Sequence, residues 1–174
     1  MDFERPRIKL IPTRTDKFLD RLALAGLIFV WLYTFINYLY LPEIIPAHYN
    51  SKGEINGYGS KAFIIIVPCI LTVLVYAITI LSRHPHIFNY PQNLTKDNAE
   101  QQYLLAIRNM RYLKLAVVIV AITTTVETIT DARKEKLGFG MWDIPLIIIF
   151  MGAPTAIYIY QSYKLKQLKK RQEP

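Results

Sequence analysis

Cysteine is almost absent from this chain of 174 residues, and Cys69 stands alone. A single thiol forms no intramolecular disulfide and supplies no cysteine cluster for a metal. Histidine is nearly as scarce, with His48, His84 and His86 the full set. The sequence has no glycine-rich phosphate loop, no His-Glu-x-x-His pair and no nucleophile beside an attendant base. The expectation is therefore a protein that is not an enzyme and carries no cofactor. Acidic residues are few as well, 13 against 21 Lys and Arg, for a formal charge of +8. That excess comes without a nucleic-acid recognition motif, and basic flanks beside membrane helices already serve topology and anionic headgroups, so nucleic acid is not an expected partner.

Apolar residues, by contrast, make up 52% of the chain and gather into four runs, 22–41, 62–81, 113–130 and 144–163. A hydrocarbon core about 30 Å thick is crossed by roughly 20 helical residues, and lipid offers no partner for an unpaired backbone group. The expected fold is all-α, an integral membrane bundle of four transmembrane helices occupying 22–163 with the lipid bilayer as its first partner. A basic arm, 1–21, precedes it and a basic tail, 164–174, follows. The connections are an outer loop 42–61, an inner loop 82–112 and a second outer loop 131–143. Arm, inner loop and tail, with Lys114 just past the inner loop, together hold sixteen Lys and Arg, and the outer loops hold five. Positively charged flanks stay cytoplasmic, which puts both termini inside. The first run reads as an uncleaved anchor, because a polar arm precedes it and no small-x-small cleavage site follows before Pro42.

The first outer loop is shaped by its residue types. Pro42 and Pro46 stop the helix and hold the chain extended, while Gly53, Gly57 and Gly59 tolerate backbone angles that other residues avoid. The same loop gathers Glu43, His48, Asn50, Lys52, Glu54 and Lys61. Imidazole, carboxylate and ammonium groups at an outer surface suit a ligand, with Glu43, His48, Asn50 and Lys61 the candidate binding residues. The competing reading gives His48 a purely structural hydrogen bond, with Asn50 capping a turn that Gly53 completes.

Pro46-x-His48-x-Asn50-x-x-Gly53, followed by Gly57-Tyr58-Gly59-Ser60-Lys61 and a helix with Pro68 in its first third, resembles the signature of a bacterial membrane domain of unknown function. That domain also forms the N-terminal part of Sdp-type immunity membrane proteins, which protect sporulating bacilli from their own secreted killing peptide. The resemblance covers roughly residues 20 to 80, and it is closer to the isolated domain than to the longer immunity proteins. It implies a bacterial cytoplasmic membrane location and a peptide as the class of ligand.

Glu127 interrupts the third run near its outer end, with Thr123 and Thr130 on the same helical face. An acidic residue in a membrane segment faces the bundle interior and pairs with a cation, for which His48, Lys52, Lys61 and Arg133 are candidates. Exposure to interfacial water is the alternative. His48 and Glu127 are also the residues that come nearest to a metal pair, without the further ligands a site needs. Asp143 reads as the cap of the fourth helix, and Gly152, Ala153 and Ala156 around Pro154 as a surface for close helix packing.

In the inner loop, Thr95 is placed to cap a helix from Lys96, and Ala99, Tyr103, Ala106, Met110 and Leu113 repeat at helical spacing. This predicts an amphipathic helix before the third span, lying on anionic headgroups through Arg108, Arg111 and Lys114 or else meeting a partner helix. His84 and His86 lack a third ligand, and Asn89-Tyr90-Pro91 reads as a rigid turn. The functional expectation is a non-enzymatic bundle whose outer loop recognises a peptide or envelope partner, as an immunity or signalling accessory. The alternative is a small transporter or ion-binding protein acting as a homo-oligomer, favoured by the prolines in the second and fourth runs.

Overall fold

The computed structural model of the chain describes residues 5–135 and 143–170. Its elements in order are α1 (Arg14–Tyr38), β1 (Ile44–Tyr49), β2 (Ile55–Ser60), a short 3-10 helix (Lys61–Ile65), α2 (Ile66–Leu81), α3 (Ala99–Ala132) and α4 (Asp143–Lys170), with a 3-10 turn at Pro85–Ile87. Four of these helical stretches are long and apolar enough to cross a membrane. The second of them joins the 3-10 helix to α2. Mostly helical and outwardly apolar, the molecule has the make-up of a multi-pass membrane protein.

The expectation of an all-α fold needs one correction. The segment 42–61, expected as the first outer loop, forms an antiparallel β-hairpin pairing Ile44 with Ser60, Ile45 with Gly59, Pro46 with Tyr58, His48 with Gly57 and Tyr49 with Ile55. Two irregularities flank His48, where the register shifts on either side. Glycines in β2 masked its strand character in the sequence, since glycine is a poor strand former unless another group approaches closely. That approach is present. A Cβ on Gly57 would lie 2.9 Å from the His48 Cβ, and one on Gly59 would lie 2.7 Å from the Phe63 ring.

α3 is the central element. Half of its apolar window is buried, against 6% for the window in α4. Two clusters form the core, one of Ala23, Val30, Leu71, Val118 and Ala121 in α1, α2 and α3. The other, at the hairpin end, joins Leu41, Ile45, Ile64 and Ile129. Gly26 makes the closest helix approach, because a Cβ there would run into Val118 Cγ1. Gly152, by contrast, meets nothing within 4 Å, so the close-packing role expected of the Gly152–Ala156 surface does not apply there. α4 instead docks where Ser162 Oγ donates to Gln102 Oε1 at 2.7 Å, both residues being buried.

The amphipathic helix and the third span are one uninterrupted helix. It starts at Ala99 rather than Lys96, and Thr95 contributes its carbonyl to Asn98 and Ala99 rather than a side-chain cap. The first part of the predicted stripe is covered by protein, with Ala99 and Tyr103 fully buried and Ala106 nearly so, while Met110 and Leu113 are half-buried. Tyr103 packs under Tyr90, ring centroids 5.5 Å apart, and the Tyr90 hydroxyl donates to the Pro85 carbonyl at 2.7 Å. Burial pushes the Tyr90 phenol above its ordinary pKa. The Asn89-Tyr90-Pro91 stretch is anchored through Tyr90, and just before it Arg5 donates to the carbonyls of His86 and Phe88. Residues 136–142 and the side chain of Asp143 lie outside the described residues, so the capping role of Asp143 does as well.

Candidate functional site

The hairpin is held at its base and shaped at its tip. Lys61 Nζ pairs with Glu43 at 2.8 Å, the Lys61 amide donates to the Glu43 carbonyl at 2.9 Å, and the ammonium sits 5.4 Å from the Tyr38 ring centroid. Lys61 and Glu43, both candidates from sequence, are therefore brought together as a clasp between the end of β2 and the start of β1. At the tip, Asn50 Oδ1 accepts from the amides of Lys52 and Glu54 at 2.9 and 3.0 Å. Asn50 Nδ2 donates to Glu54 Oε2 at 2.8 Å, and Gly53 takes φ 75. Asn50 is thus a turn-builder, and Gly53 occupies the left-handed region that glycine enters without steric cost.

His48 is exposed on the hairpin, with Nδ1 hydrogen-bonded to Asn56 Oδ1. Among the described contacts His48 meets Asn56 rather than Glu127. Glu127 is buried, 5% exposed, on the α3 face behind β1. There the Tyr49 hydroxyl donates to Asp131 at 3.1 Å. Burial raises the Tyr49 phenol above its ordinary pKa, Thr128 opposes that, and the nearby Asp131 and Glu127 carboxylates add to it. Glu127 is thus covered by the protein rather than exposed. Between β1, the 3-10 helix and α3 lies an open groove of about 370 Å³, walled by Ile45, Ala47, Phe63, Val67 and Thr128. Among the described residues no three of His, Cys, Asp and Glu gather where they would hold a metal.

A second polar cluster, at the opposite end of the bundle, escaped the sequence reading. Thr13 and Asp16 form a capping box at the start of α1, with Asp16 buried at 3% exposure. Arg108 Nε and Arg111 Nη1 each lie 3.5 Å from Asp16. Arg111 Nε donates to Asp20 at 3.1 Å, and Lys114 Nζ reaches Asp20 at 2.5 Å and Thr79 Oγ1 at 3.3 Å. Lys114, itself 4% exposed, so ties α1, α2 and α3 together. Arg111 and Lys114 turn inward to carboxylates, not outward to headgroups. The available signal was Asp16 and Asp20 four apart on one helix, matching Arg111 and Lys114 three apart on another, each pair on one face.

Comparison with known proteins gives a match over part of the chain. Residues 25–78, which run from α1 through the hairpin into α2, match the family described as Domain of unknown function (DUF1648). An "Uncharacterized protein" of Archaeoglobus fulgidus is 32% identical over 87 residues, covering 45% of this chain. The chain spans about half the length of that relative, 48%. No solved structure matches. The family match encloses the hairpin and its clasp and leaves out α3 and α4.

Proposed function

We propose that this is a non-enzymatic membrane protein with both termini in the cytoplasm, whose outer hairpin recognises an extended peptide segment of a ligand or envelope partner. One observation carries the reading: the hairpin is braced by the clasp, by Tyr49 and by its own core cluster, yet presents an exposed His48 and Tyr58 and an apolar groove beside β1. A loop that merely seals a helix pair needs no such bracing. Strand edges give a peptide backbone its hydrogen bonds, and an adjoining groove takes its apolar side chains. The loop's resemblance to the N-terminal part of immunity membrane proteins supports a secreted peptide as the ligand and a bacterial cytoplasmic membrane as the location.

The test is a photo-crosslinking amino acid at Tyr58, 67% exposed on the hairpin, in native membranes, with Tyr76, 69% exposed on α2, as the control position. A discrete adduct at Tyr58, missing at Tyr76 and lost in a folded His48→Ala protein, supports recognition. The same adducts at both positions, or none at Tyr58, count against it.

A second reading, transport by an oligomer, is favoured by buried charge. Ionisable groups inside a membrane bundle mark ion or proton pathways by default, and buried Lys114, paired with a partly exposed Asp20, is the candidate. Flux into liposomes that disappears with Lys114→Met would move this reading to first place.

A further inference from the structure

We infer that the cleft between α3 and α4 holds one anionic phospholipid. Below the cleft the two helices close on each other through buried Gln102 and Ser162. Beyond that contact they part around a space of about 480 Å³ walled by Tyr112, Phe150, Ala153 and Ile157. The α4 wall runs from Ile149 to Gln161, about 18 Å at the helical rise, which is a trough for an acyl chain rather than a pocket for a compact solute.

One polar group sets the headgroup chemistry. Arg108 lines the cleft, and its side chain is 42% exposed. Its one polar contact among the described residues is the 3.5 Å approach of Nε to Asp16. The two terminal nitrogens therefore remain as a fork for a phosphate, which guanidinium binds in bidentate fashion. A choline headgroup would set a second cation beside Arg108, whereas an anionic headgroup sets none there.

The local charge agrees with this choice. Arg108, Arg111 and Lys114 face Asp16 and Asp20, three cations against two carboxylates, and a phosphodiester supplies the missing negative charge. The tail of α4 and the N-terminal arm are basic as well, which draws anionic lipid to this end of the bundle.

The detergent-purified protein, delipidated and then mixed with equimolar phosphatidylglycerol and phosphatidylcholine, is read by native mass spectrometry. The expected result is one retained phosphatidylglycerol with at least tenfold preference. Arg108→Gln, which leaves Arg111 to hold Asp16, reduces that preference to below twofold. Ala153→Phe, at an exposed position whose ring fills the cleft, removes the retained lipid, and Val73→Phe on the outward face of α2 does not. Should Arg108→Gln not fold, the Ala153→Phe and Val73→Phe pair decides the matter alone. Equal retention of the two lipids overturns the proposal. So does retention unchanged by Ala153→Phe, or equal retention of glycerol 3-phosphate, which has the headgroup and no chains.

Discussion

Gly26 lacks a side chain at the point where α1 crosses α3, and Val118 fills the space a Cβ would need. Gly26→Ala forces Val118 aside in a core whose neighbours, Ala23 and Val30, are fully buried. Overpacking of this kind costs about 1–3 kcal/mol. A lowered melting temperature in detergent is expected, and adding Val118→Ala should restore most of it. The charged pair behaves differently. Asp20→Asn leaves Lys114, 4% exposed, without its nearest carboxylate. Stranding a buried charge costs about 3–5 kcal/mol, and a carboxylate side chain that is 40% exposed, as Asp20 is, points to the low end. The double variant Asp20→Asn, Lys114→Met should melt above Asp20→Asn alone, since no charge is then stranded. A further drop would show that Lys114 stabilises through something besides Asp20. These are the residues that the sequence hid. Gly26 sits in an apolar run like any other small residue, and an ion pair between positions some 90 apart leaves no local trace, whereas Asn50 and Gly53 announce their turn because its chemistry lies within four residues.

At the scale of elements, the four long helices were legible because about 20 apolar residues have one structural outcome in lipid. Their ends were not. α3 runs through Arg108, Arg111 and Lys114 without a break, because those charges find Asp16 and Asp20 on α1 and need no water. The hairpin was half legible. Its bracing residues, Glu43 and Lys61, stood out as charges near a membrane surface, but strand pairing between a Pro-containing and a Gly-rich segment depends on the support of the 3-10 helix and α3. Gly53 offers a test confined to this element. Its φ of 75 is costly for any residue with a Cβ, so Gly53→Val should loosen the tip by about 1–2 kcal/mol. Hydrogen exchange should quicken at Glu54 and the paired strand amides while the α1 and α3 amides keep their rates. If the helices lose protection together with the tip, the hairpin is part of the global folding unit instead of a braced accessory.

For the whole molecule, the question is which parts need each other. One core cluster draws on α1, α2 and α3 and the other on the end of α1, the hairpin region and α3, and neither contains a described residue of α4. α4 rests on α3 through the Gln102–Ser162 pair and borders the lipid-sized cleft, with little of its own surface covered. The matched family segment, 25–78, likewise ends before α3, so the segment that carries the family resemblance still lacks Val118, Ala121 and Ile129, which complete its two cores. α3 is therefore the part that the domain cannot lose, and α4 is the part it can. A chain ending at residue 142 should keep slow exchange in α1, α2 and α3 from Lys114 onward, and should lose it chiefly over 99–110, where Gln102, Tyr103 and Ala106 would be uncovered. Uniform loss of protection would mean that α4 closes the bundle after all, and the cleft beside it would then have to be read as an internal seam of the fold.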